Sequence, residues 1–329
     1  MTERVAVIDR YDLVIFDLDG VVYLGTEPIP GAADAINRLH AEHRALAYAT
    51  NNAGRRPEEV AELLVSLGIP AASDEVITSP QAAARLLAER LPAGAGVLVV
   101  GTDALRSEIR GVGLTPVDSA EAAPAAVVQG YGPDVGWRML AEASVAIRAG
   151  ALWVATNGDR TLPSPRGPLP GNGALVAALA TALDRAPDAI VGKPEPALFH
   201  QAAKRIGAQL PLVVGDRLDT DIEGAVRAGM DSVLVLTGVS TAQDVLAAPP
   251  HRRPTFIAAD LTGLFTMDGS TGGWRVRRED SGLELSGDGT PVEALRLLSA
   301  YAWDGGRPET VGAGDPGAEE ALRALRLTG

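Results

Sequence analysis

In LVIFDLDGVVYLG, residues 13–25, four apolar residues run unbroken from Leu13 to Phe16 and stop at Asp17, Asp19 and Gly20. A short apolar run closed by acids and glycine reads as a buried parallel strand. Such a strand delivers both carboxylates to its C-terminal end, the edge at which open α/β sheets bind their ligands. The same rhythm continues outward. GAADAINRLHAEH has apolar positions at helical spacing, ALAYAT reads as a strand, and Asn51-Asn52-Ala53-Gly54 as a turn. RPEEVAELLVSLGI has Pro57 and two glutamates in its first turn and Gly68 as a stop, the end chemistry of a helix. EVITS supplies another short strand. This alternation predicts a doubly wound α/β sheet.

A second alternating series follows. GVLVVGT, AAVVQGY and ALWVATN read as strands, with ALRSEIRGVG and WRMLAEASVAIRAG as helices between them. DRTLPSPRGPLPGNG, rich in Pro and Gly, reads as irregular, and ALVAALATALDRA resumes a helix. From Ile190 the first series returns through IVGKPEP, PALFHQAAKRIGA, LPLVVGD, TDIEGAVRAG and SVLVLTG. One α/β unit therefore sits inside another, divided as a first core segment (1–79), an inserted cap (80–189) and a second core segment (190–265). Residues 266–329 form a small C-terminal α+β extension of unknown role, with a hairpin over WRVRRED and GLELSG and helices over PVEALRLLSAYAWDG and GAEEALRALRLTG. It is too apolar for simple disorder.

Composition narrows the function classes. The 329 residues carry 29 Lys+Arg against 42 Asp+Glu, a formal charge of -13, so a general nucleic-acid partner is not expected. Small phosphorylated ligands remain compatible, since a metal ion or one lysine reverses the local field. The absence of Cys removes thiolate nucleophiles, thiol-bound zinc and disulfides. No apolar stretch has the length of a membrane span, and the charged start lacks a signal-peptide pattern. A soluble cytoplasmic protein without a membrane partner is the expectation.

Four strand-end groups could carry chemistry. Asp17 and Asp19 come first, although an Asp-x-Asp pair by itself is common and a second occurs at Asp219 and Asp221. Thr50-Asn51-Asn52, directly before a helix, offers a hydroxyl and backbone N–H groups to phosphate. Lys193 lies beside Gly192 and Pro194, where it is also readable as a solvated turn residue. Gly215-Asp216 with Asp219 and Asp221 places three carboxylates in six residues. Like charges about 4 Å apart cost around 4 kcal/mol at an effective dielectric near 20. An ordered site of this kind needs a cation or protonation, and oxygen ligands without His or Cys favour Mg2+. Each group alone is readable as capping or turn chemistry; all four in this order are not.

With FDLDGVVYLG, ATNN, VGKPEP and VGDRLDTDI in that order, the chain resembles the haloacid dehalogenase (HAD) superfamily over about Asp9 to Leu264. It looks most like the NagD-like branch of glycerol-phosphate, phosphoglycolate and p-nitrophenyl phosphate phosphatases, which carry a C2-type α/β cap. ATNGDRTLPSPRGPLPGNGALVAAL is similar to that branch's cap signature at Asn157, Asp159, Pro163 and Gly171. Gly132 stands where relatives often carry Asp. The resemblance implies a Mg2+-dependent phosphatase that forms an aspartyl-phosphate on Asp17, with Asp19 as general acid/base. It implies phosphate binding by Thr50, Asn51, Asn52 and Lys193. The metal would be held by Asp17, the Asp19 backbone carbonyl and Asp216, with Asp221 behind them, and Asn157 and Asp159 would serve from the cap. The cap is expected to close over the core and admit only a small phosphorylated metabolite, glycerol 3-phosphate before 2-phosphoglycolate. Homodimerisation is a further expectation. The alternatives are a non-catalytic or regulatory phosphate-metabolite-binding protein on this fold, and a phosphomutase.

Overall fold

The computed structural model describes residues 6–25, 27–162, 166–266, 270–279, 282–306 and 308–327. The chain divides into two compact units, Met1–Leu46 with Ile206–Gly329, and Ala47–Arg205.

In the first unit the strands Phe256–Ala258, Asp231–Val235, Pro211–Gly215 and Leu13–Phe16 lie side by side in that order, all parallel. Leu13–Phe16 is buried at every position, as a strand covered on both faces must be. Its register pairs Phe16 with Val214, and the Asp17 N–H donates to the Val214 carbonyl at 2.8 Å. Asp17 is thereby set beside Gly215 and Asp216. The edge strand Phe256–Ala258, held by its pairing with Asp231–Val235, was not expected from the sequence.

The second unit holds a parallel pair, Ala45–Thr50 with Val76–Thr78, whose first strand begins just before the unit boundary. It also holds a five-stranded parallel sheet in the order Ala189–Ile190, Leu152–Ala155, Ala126–Gln129, Gly96–Val100, Thr115–Val117. The helices between them start where the sequence places their end signals. Pro57 opens Pro57–Ser66, the Arg56 N–H donates to the Glu59 carboxylate at 2.8 Å, and Gly68 stops it at φ +80°. Thr78 and Gln81 cap Ser79–Arg90 reciprocally. One expectation is amended. The Pro/Gly-rich passage contains a two-stranded antiparallel ribbon, Thr161–Leu162 with Leu169–Pro170, too short to leave a hydrophobic pattern.

The C-terminal residues form a three-stranded sheet and two helices. Arg275–Arg278 and Gly282–Ser286 make the expected antiparallel pair, and Thr310–Ala313, not anticipated, adds in parallel to the second. This extension is no loose appendage. Leu295, Leu298 and Ala302 of the helix Pro291–Gly305 share one hydrophobic cluster with Leu218, Ile222, Leu234, Val245 and Ile257, on and beside the sheet that contains Leu13–Phe16. The Trp303 indole N–H donates to the Val245 carbonyl at 2.9 Å, and Arg296 Nε to the Ile257 carbonyl at 2.8 Å.

Leu298 is fully buried in that shared cluster. Leu298→Ala should cost about 2–5 kcal/mol, read by urea denaturation as a shift of the transition reported by the sheet that contains Leu13–Phe16. A separate transition confined to the extension would show that the two do not share a core. A pH dependence follows from the cap of the same helix. The Glu293 carboxyl is held below the usual carboxylate range, first by the Ser270 hydroxyl and then by the Thr290 N–H. A depressed folded-state value gives stability that is present above the unfolded value and lost as pH falls through the folded one. Glu293→Gln should therefore reduce the loss of stability as pH falls below the ordinary glutamate value of about 4.3, measured by denaturation at successively lower pH.

Candidate active site

Asp17, Asp216 and Asp221 each offer a carboxylate oxygen such that all three lie within 4.8 Å of one another. Among the described residues no other group of three His, Cys, Asp or Glu side chains is brought together in this way. Asp216 and Asp221 are completely buried, at 0% and 1% exposure, and Asp17 is half-buried. Local backbone geometry explains the convergence. The parallel register sets Asp17 against the end of Pro211–Gly215, and a π-turn over Leu218–Ile222 swings Asp221 back to the same corner. In that turn the N–H groups of Asp221 and Ile222 both reach the Arg217 carbonyl at 3.1 Å.

The acids are held from several sides. An Asp216 carboxylate oxygen accepts from the Val239 N–H at 2.6 Å, and its carbonyl accepts from the Ser240 N–H at 3.1 Å. Asp221 accepts from the Arg217 N–H at 3.1 Å. A Cβ on Gly20 would come within 2.6 Å of the Asp216 carboxylate, and one on Gly238 would overlap it. Gly20 also takes φ +91°, so that position is closed to other residues twice over. Three carboxylates so close repel by about 4 kcal/mol per pair at an effective dielectric near 20. The corner fits a small, hard divalent cation, which such oxygen donors prefer and which removes the repulsion.

Asp219 is not one of the three. Its carboxylate faces Arg217 in a two-pronged contact, Nε–Oδ1 at 3.1 Å and Nη2–Oδ2 at 3.0 Å. Partial burial pushes its carboxyl up, but the Arg217 guanidinium outweighs this and holds it below its ordinary range. Of the acids between 216 and 221, two therefore turn inward and one makes a surface pair. Asp19 lies half-buried in the tight loop after Asp17, bridged to Tyr23, and its carboxylate stands outside the acid cluster.

In the second unit Thr50 ends its strand, 2% exposed, and its hydroxyl accepts from the Asn52 N–H at 3.1 Å. The Asn52 carboxamide oxygen accepts from the Gly54 N–H at 2.8 Å, shaping the turn. Lys193, 3% exposed, sits in the turn before the helix Ala197–Ile206 and donates from Nζ to the Ala49 carbonyl at 3.0 Å. Asn51 joins these pieces: its side chain bonds both the N–H and the carbonyl of Lys193 and also reaches Asp159. Asn157 donates to the Asn51 carbonyl at 2.7 Å. Among the cap-signature residues, Gly171 packs so closely on the Asp159 carbonyl that no Cβ fits, and Pro163 lies outside the described residues.

Sequence reasoning missed Ser79, Asn172 and the loop Thr237–Ser240. Ser79 donates to the Asn51 carbonyl at 2.8 Å, Asn172 to the Asn157 carbonyl at 2.8 Å, and Thr237 to the Gly20 carbonyl at 2.6 Å. The Thr-Gly after SVLVL, at a strand's C-terminal end, was the available signal for the last.

Residues 14–115 match a family model described as haloacid dehalogenase-like hydrolase, and residues 190–264 one described as HAD-hydrolase-like. Over 98% of this chain and 96% of the relative, the sequence is 43% identical to D-glycerol 3-phosphate phosphatase of Mycobacterium tuberculosis. The chain belongs to the haloacid dehalogenase-like hydrolases. Within this HAD family it is also 37% identical to acid sugar phosphatase of Staphylococcus aureus, over 77% of this chain and 96% of that one. The crystal structure of glycerol phosphate phosphatase from M. tuberculosis in complex with magnesium superposes with a TM-score of 0.93 at 44% identity, covering 99% of this chain and 100% of that one. Residues 271–327 match a GCN5-related N-acetyltransferase like domain model. The chain is thus a HAD-type phosphatase, a phosphoric monoester hydrolase, and these relatives give the non-catalytic and phosphomutase alternatives no support.

The two fates of the acids are separable by titration calorimetry with Mg2+. Asp216→Asn should weaken binding by more than about tenfold. Asp219→Asn, which changes a surface pair, should leave it within about twofold. Equal effects would mean that the inward and outward acids are not distinct.

Proposed function

We propose that this HAD phosphatase hydrolyses a small phosphate monoester with Mg2+, glycerol 3-phosphate being favoured and 2-phosphoglycolate next. The observation that carries the reading is the convergence of Asp17, Asp216 and Asp221 at one strand-end corner. Glycerol 3-phosphate is favoured because the M. tuberculosis relative named for it matches nearly the whole chain, the extension included, whereas acid sugar phosphatase matches 77% of it.

In this reading Asp17, Asp216 and the Asp19 carbonyl hold the metal, and Asp221 orients its surroundings. Bound Mg2+ supplies positive charge to the acid cluster and to the phosphoryl oxygens. The Asp17 carboxylate attacks phosphorus in line, so that one O–P bond forms as the ester P–O bond breaks. Asp19 gives its proton to the departing alkoxide. It then takes a proton from the water that attacks the aspartyl-phosphate, which releases inorganic phosphate and restores Asp17. Thr50, the Asn51 and Asn52 backbone and Lys193 hold phosphoryl oxygens, Lys193 supplying charge. Asn157 and Asp159 act from the cap signature.

The division into core (1–79 and 190–265), cap (80–189) and extension (266–329) belongs to the same proposal. So do homodimerisation, a cytoplasmic setting and a small metabolite as the partner, with neither nucleic acid nor membrane. Among the described residues no helix is long and apolar enough to cross a membrane.

A phosphate-release panel of small monoesters with Mg2+ tests the substrate, and turnover should be fastest on glycerol 3-phosphate. A clear preference for a sugar phosphate would move the assignment. Asp17→Asn should abolish turnover with the fold retained, and EDTA should do so reversibly. Asp19→Asn should cost about a hundred- to ten-thousand-fold on glycerol 3-phosphate and less on p-nitrophenyl phosphate, whose leaving group needs no proton; equal losses would remove Asp19 as the acid.

A further inference from the structure

Asn51 uses nearly every polar atom it has, and uses none of its side chain in a way that leaves it available for substrate. One face of the carboxamide pairs with Lys193 as a neighbouring strand would. Asn51 Oδ1 accepts from the Lys193 N–H at 2.8 Å, and Asn51 Nδ2 donates to the Lys193 carbonyl at 3.0 Å. The second Nδ2 proton lies between the two carboxylate oxygens of Asp159, at 3.2 and 3.1 Å. The Asn51 carbonyl is fixed by Ser79 Oγ at 2.8 Å and Asn157 Nδ2 at 2.7 Å. Asn51 itself is 8% exposed.

This arrangement demands a carboxamide. Asp in its place keeps the acceptor for the Lys193 N–H but sets a negative oxygen against the Lys193 carbonyl and the Asp159 carboxylate, with no donor for either. Ala loses all four contacts. The neighbourhood is cut to fit. A Cβ on Gly192 would come within 2.5 Å of both Asn51 Oδ1 and the Thr156 carbonyl, so the backbone before Lys193 can approach the amide only as glycine. Asn172, the first residue of its helix and 1% exposed, holds the Asn157 carbonyl, and Asn157 Oδ1 in turn accepts from the Asp159 N–H at 3.2 Å.

We infer that the Asn51 side chain is a positioning residue for Lys193: it fixes the backbone from which the ammonium reaches the Ala49 carbonyl and ties the Asn157–Asp159 segment to the same point. The inference rests on the reading of Lys193 as the cation that neutralises phosphoryl charge. It assigns the Asn51 carboxamide to Lys193 and Asp159 and leaves only the Asn51 backbone for phosphate.

A double-mutant cycle on p-nitrophenyl phosphate hydrolysis with Mg2+ tests it, using Asn51→Asp, Lys193→Met and the pair, with thermal denaturation to establish that each is folded. Misplacing a charged group by about 1 Å costs on the order of a hundredfold. Asn51→Asp should therefore lower kcat by roughly that factor with KM changed far less, and in the Lys193→Met background it should cost less than about threefold. If Asn51→Asp does not fold, Asn51→Ala is read by the same cycle. Equal losses from the Asn51 variant in both backgrounds, with Lys193→Met itself crippled, would overturn this inference alone. Near-normal turnover by Lys193→Met would instead overturn the role given to Lys193, and with it the reading beneath.

Discussion

At one corner the fold gathers three carboxylates that repel one another, two of them fully withdrawn from water, and this electrostatic crowding sets the terms for the chain around it. Nothing in the packing of a sheet requires such a cluster. The acids stay because parallel pairing and a π-turn fix the backbone beneath them, and because glycines at 20 and 238 let the chain close on Asp216 where any side chain would collide. Holding them together creates an affinity for a divalent cation, which offsets the repulsion only when it is present.

The extension takes part in the same structure. After the strand Asp231–Val235 the chain supplies Thr237, Val239 and Ser240 to the loop around Gly20 and Asp216, then forms the short helix Ala242–Leu246. Trp303 bonds the Val245 carbonyl on that helix, and Leu295 and Leu298 pack into the cluster that includes Leu218 and Ile222, the residues flanking Asp219 to Asp221. A segment whose family model differs from that of the core thus stands directly behind the loops that carry acids. A buried core transmits displacement because it is close-packed.

In the second unit neutral groups do comparable work. Asn51, Asn157 and Asn172 form a buried carboxamide relay in which donors are matched to backbone carbonyls from one segment to the next. Most buried amide groups in proteins are hydrogen-bonded, and here the Nδ2 group of each of the three is, while the Asn172 Oδ1 is buried without a partner among the described residues. Paired, they fix loops that no hydrophobic contact would hold in one geometry.

Sequence alone determined the strands that lead to Asp17, Thr50 and Asp216, because apolar runs ended by Gly, Asp or Asn record burial and chain reversal locally, and Pro194 and Pro196 mark the turn before a helix that holds Lys193. It also determined the chemistry available at their ends. The short elements Phe256–Ala258, Thr310–Ala313 and the ribbon at Thr161 were beyond it, and are strands through the partners they pair with. Likewise Asp219 and Asp221 are indistinguishable as letters. Which one turns toward Asp17 and which toward Arg217 was decided by the π-turn, and the work of the Asn51 side chain by a distant glycine, Gly192. Those choices belong to tertiary structure because side-chain direction depends on backbone geometry and on distant neighbours, neither of which is written at the residue itself.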